Sequence, residues 1–140
     1  LDTCWRFYIE PGGPYAVVDH PFTGAWVSCV DTGIVMHIND DDGVVDTTIS
    51  ISIFESATGI TDTVNYPDPR LIWDSSSGLL LYHSSVSFTS DESVEVCILY
   101  AEDPIGNPLS PRPVCSNFYM DRYSPVLFNA VPPSVNIVYT

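Results

Sequence analysis

The segment Thr48-Ile49-Ser50-Ile51-Ser52-Ile53-Phe54 alternates polar and apolar residues. A period of two is the pattern of a strand that buries one face and leaves the other in water. No window of a dozen residues keeps the 3.6-residue period of an amphipathic helix, and 12 prolines and 8 glycines are spread along the chain. Further strands are expected at 17–27, 34–38, 79–82, 86–88, 94–101 and 117–121. Turn clusters stand between them: Asp40-Asp41-Asp42-Gly43, Ser75-Ser76-Ser77-Gly78 and Pro104-Ile105-Gly106-Asn107-Pro108. Seven or eight short strands in 140 residues predict one all-β, immunoglobulin-like sandwich.

The two ends of the chain match each other. Cys4-Trp5-Arg6-Phe7-Tyr8-Ile9-Glu10 aligns with Cys115-Ser116-Asn117-Phe118-Tyr119-Met120-Asp121 at an offset of 111. Carried on without gaps, the offset places Pro14 on Pro125, Pro21 on Pro132 and Val27 on Val138, six identities in 26 positions. Self-similarity at a fixed period marks repeat arrays. The expected organisation is a terminal strand at 1–13 equivalent to the last strand of a preceding unit, a sandwich at 14–124, and at 125–140 a linker and the first strand of a following unit. An unpaired strand edge invites a partner. The expected contacts between units are therefore Trp5, Phe7, Ile9, Val126 and Phe128, pairing with open sheet edges or filling grooves on a neighbour.

Eighteen acidic residues stand against four arginines, with no lysine, a net charge of −14. Such a surface repels nucleic acid and anionic membranes. No apolar run is long enough to span a bilayer, and the first ten residues do not read as a signal peptide, so the chain is expected to be mature or an excerpt. The cation that suits carboxylates is Ca²⁺, though no bound cofactor is required. Asp40, Asp41 and Asp42, with Asp46 nearby, crowd acids into one turn without the EF-hand spacing, and a solvated hairpin turn accounts for them without a metal, since Asp and Gly are good turn residues. A second candidate lies at the unit boundary, where Glu102, Asp103 and Asp121 (or Glu10 at the other boundary) could clamp a Ca²⁺ and stiffen the linker. His20, His37 and His83 are far apart and no nucleophile motif occurs, so the chain is expected not to be an enzyme.

Residues 94–110 read as an alternating strand followed by Ala101-Glu102-Asp103-Pro104-Ile105-Gly106-Asn107-Pro108, and the chain later reads Phe118-Tyr119-Met120-Asp121 before Ser124-Pro125-Val126. This resembles the penultimate strand, turn and last strand of bacterial and archaeal Ig-like tandem surface repeats. Residues 31–46 and 73–79 resemble the first core strand, acidic turn and mid-domain hairpin of the same family. The resemblance implies an extracellular, cell-surface stalk, adhesin or filament module that assembles with copies of itself or neighbouring Ig-like repeats. It also implies that Cys97 faces inward, so that a Cys29–Cys97 bridge would join the two sheets and leave Cys4 and Cys115 over. Cys97–Cys115 across adjacent final strands is the rival, since four cysteines allow three pairings. A glycan-binding module is the alternative function, with Trp5, Trp26, Tyr66, Trp73 and Tyr82 as candidate rings. Solvent-facing rings would favour it and burial would favour assembly.

Overall fold

Alternating burial sorts the strands into two sheets that share one core. The computed structural model describes residues 4, 12–29 and 32–123. Among them are nine strands: β1 Tyr15–His20, β2 Trp26–Val27, β3 Ile34–Asn39, β4 Ser50–Glu55, β5 Ile60–Asn65, β6 Leu71–Asp74, β7 Leu79–Tyr82, β8 Glu92–Tyr100 and β9 Val114–Met120. One sheet has the order β1-β3-β7-β6 and the other β2-β9-β8-β4-β5. This is an immunoglobulin-like sandwich in which the first strand is divided between the sheets. As β1 the chain pairs antiparallel with β3; it then crosses over and lies parallel to β9 as β2. The single strand expected at 17–27 is therefore two, parted by Pro21 and a turn in which the Ala25 amide bonds the Phe22 carbonyl.

Period-two patterning places the core. In β3, Ile34, Met36 and Ile38 are fully buried while the residues between them are half-buried. They meet Ile51, Ile53, Val94, Val96, Ile98, Phe118 and Met120 of the facing sheet in one cluster. Each such side chain contributes about 2 kcal/mol by leaving water. The strand expected at 86–88 is a loop, but it delivers Phe88 into the core, where its ring meets Phe118 edge-on at 5.9 Å. The two strands missing from the expectation, β5 and β6, are edge strands: β5 is mostly polar, and β6, though it begins Leu71-Ile72-Trp73, is too short to show a period. The Ser75–Gly78 turn does form. Gly78 has φ +70°, and a Cβ there would fall 2.3 Å from Asn39 Oδ1, so the hairpin needs glycine on both counts.

Pairing registers define two ends of the sandwich. The start of β1 lies opposite the end of β3 (Tyr15 with Asn39), and the start of β9 lies opposite the end of β8 (Val114 with Ile98). A bond from the Ser110 amide to the Pro14 carbonyl joins these at the upper end. There Gly13 lies so close to the Pro108 carbonyl that a Cβ would sit 2.2 Å from its oxygen. At the lower end, β9 finishes opposite the start of β8 (Met120 with Glu92). The chain thus enters the sandwich at one end and leaves it at the other. The terminal strands expected at 1–13 and 125–140 lie outside the described residues, save Cys4, Gly12 and Gly13.

Candidate functional site

Cys97 and Cys115 face each other in the β8–β9 register and form a disulfide, 18 residues apart in sequence. The expected Cys29–Cys97 bridge is corrected by strand parity. In β8 the inward residues are Glu92, Val94, Val96 and Ile98, which puts Cys97 on the outer face with Glu95. In β9 the inward residues are Ser116, Phe118 and Met120, so Cys115 is outward as well. The bond therefore clasps two neighbouring strands on the outside of one sheet and does not cross the core. Cys4 and Cys29 are exposed and unbonded. A disulfide of this kind persists in oxidising compartments, which marks a secreted or envelope protein. No helix among the described residues is long and apolar enough to cross a membrane.

The acidic residues singled out in the sequence gather unevenly. The Asp40–Asp42 turn, Asp46, Glu102 and Asp103 all follow strands that finish at the upper end, and two bonds tie their loops together. The Val45 amide donates to the Glu102 carbonyl, and the Glu102 amide to Thr48 Oγ1. Asp121 lies at the lower end, so one sandwich does not bring it to Glu102 and Asp103. Four of these seven carboxylates accept hydrogen bonds from the protein. Asp40 accepts from the Asp42 amide, Glu102 from the Tyr100 hydroxyl and Asp121 from the Tyr123 amide. Asp103 is buried and accepts from the Ile105 amide, the Asn107 amide and Asn107 Nδ2. Burial alone pushes its carboxyl up. The hydrogen bonds outweigh that effect and hold it below the usual carboxylate range. Among the described residues no three His, Cys, Asp or Glu side chains converge on a common metal position.

The candidate rings separate by exposure. Tyr82 is buried in the core, Tyr66 and Trp73 pack partly against it, and Trp5 lies outside the described residues. Trp26 is different: it is 70% exposed and stacks on Tyr119, with centroids 4.9 Å apart and planes 25° from parallel. The register places these two side by side on β2 and β9. Elsewhere a shallow, partly apolar cleft of about 390 Å³ opens at the lower end between Ile53, Ile60 and Val86. On its rim Glu55 titrates above its ordinary value because of burial and then the nearby Glu92 and Asp62.

The fold is similar to that of a solved protein, CopC from Methylosinus trichosporium OB3b. The likeness has a TM-score of 0.54 and 16% identity, and covers 81% of this chain and 98% of that one. At such identity it is a likeness of fold alone. No family model matches the chain, and no curated protein does either. Sequence reasoning missed Tyr119 as a surface ring. The signal was present, since Tyr119 alternates with Phe118 and Met120, which are core residues.

Proposed function

We propose that this protein is a structural, non-catalytic unit of an extracellular or cell-surface array, joined head to tail through its terminal segments. The observation that carries this reading is that the described strands run from Tyr15 to Met120 in two sheets, yet the sequence of the last of them recurs ahead of the first. Phe118 and Met120, core residues of β9, correspond at the offset of 111 to Phe7 and Ile9. A segment with that sequence fits the last-strand position of a neighbouring unit, where Phe7 and Ile9 would be core residues. Val126 and Phe128 correspond to Tyr15 and Val17, which are exposed on β1 at 60% and 43%. Those positions suit contacts between units. Opposite entrance and exit of the chain supports a linear arrangement, because successive units then extend and do not fold back. Prolines at 11, 14, 125, 132 and 133 keep the connectors stiff. Where such units meet, Glu10 or Asp121 of one and Glu102 of the next could share a Ca²⁺.

The test is negative-stain electron microscopy of the 140-residue chain beside a form lacking residues 1–13. Linear oligomers from the full chain that disappear on truncation are the expected result. Monomers from both at high concentration would overturn self-assembly through these segments.

A further inference from the structure

We propose that the open face of Trp26, backed by the Tyr119 ring, binds a neutral pyranose ring of a glycan. This goes beyond the array reading and does not depend on it. One face of the indole rests on the phenol at 4.9 Å, which holds the tryptophan flat and turns its other face to solvent. The C–H face of a sugar packs on such a surface, being apolar and weakly positive against the negative face of the ring. Stacking alone gives no orientation, so the backbone beside the ring matters. In the parallel β2–β9 ladder the Tyr119 amide donates to the Ala25 carbonyl (2.8 Å) and the Asp121 amide to the Val27 carbonyl (2.9 Å). Residues 25 and 27 thus turn toward β9. The amide and carbonyl of Trp26 itself turn to the outer edge of the sheet, where β2 has no further neighbour among the described residues. A donor and an acceptor stand next to the ring face, as a hydroxylated ligand requires. Phe22 and Tyr123, 63% and 68% exposed, belong to the same corner, tied there through Ala25 and Asp121.

Two features choose the occupant. A chain with a net charge of −14 and no lysine repels uronic acids and sulfated sugars, which leaves neutral rings. Four exposed rings at one corner (Phe22, Trp26, Tyr119 and Tyr123) are far fewer residues than the roughly 20–30 per partner that a stable protein interface engages. The two-residue β2 also offers too few backbone groups for a peptide to add as a strand.

The experiment is a titration of the full oxidised chain with cellohexaose, xylohexaose, mannohexaose and, as the acidic comparison, a chondroitin hexasaccharide. It follows the indole N–H resonances by NMR. At least one neutral hexaose is expected to shift the Trp26 signal saturably while the half-buried Trp73 signal stays in place. Read by isothermal titration calorimetry, since both variants lack the indole signal, Trp26→Ala should weaken that binding by about tenfold or more, and Trp26→Phe, which keeps a ring, by less. The proposal is overturned by no saturable shift with any neutral hexaose at about 10 mM, by response to chondroitin alone, or by unchanged affinity in the two variants.

Discussion

Asp103 accepts hydrogen bonds from the Ile105 amide and from both nitrogens of Asn107 at 2.8–2.9 Å while almost fully buried. Its charge is thereby spent on holding the β8–β9 loop, the loop that Gly13 packs against where the chain comes in. The sequence shows Asp103 as an acid in a turn rich in proline and glycine. It does not show that amides of its own loop supply the donors a cation would otherwise replace. Asp103→Ala is expected to lower the melting temperature by about 5 °C or more at neutral pH, because buried amides lose their acceptor. Its folded carboxyl titrates below the unfolded value near 3.9, so its contribution is present above that value and is lost as pH falls through the folded one. The gap between Asp103→Ala and the native protein should therefore be wide in urea melts at pH 7 and narrow as the pH drops below about 4.

Strand existence is legible wherever one face is apolar, and strand parity is harder. β3, β4 and β8 announce themselves because apolar residues recur every second position, and β7 because it is an apolar run between turns. β5 does not, being a mostly polar edge strand, and β6, though it begins Leu71-Ile72-Trp73, is too short to show a period. Parity also decided the disulfide: a frame one residue different would put Cys97 in the core, and the family likeness pointed there. Val94, Val96 and Ile98 in fact claim the inner face and leave Cys97 opposite Cys115 outside. Under native oxidised conditions two thiols per chain should react, Cys4 and Cys29, and digestion should recover a peptide linking Cys97 to Cys115. Replacing both bonded cysteines with alanine should cost about 3 kcal/mol in urea denaturation, the loss expected for freeing a loop of this length. Four reactive thiols, or a peptide joining Cys29 to Cys97, would contradict the β8–β9 register.

At the scale of the molecule, the match between residues 4–10 and 115–121 proposes a repeating unit. Every strand among the described residues lies between Tyr15 and Met120, these strands share one core cluster, and the described chain starts and finishes at opposite ends of the sandwich. The surface ring pair on β2 and β9 was only half legible, because exposure depends on how the first strand divides between the sheets and no local pattern announces that crossing. On the proposed array reading, residues 12–123 form a self-sufficient unit whose flanking segments serve its neighbours. Thermal melting and sedimentation of a chain of residues 12–123 beside the full 140 test this. A monomer that unfolds in one cooperative step within about 5 °C of the full chain is expected. A chain of 12–123 that fails to fold, or melts far lower, would show that the terminal segments complete this sandwich and do not join it to another.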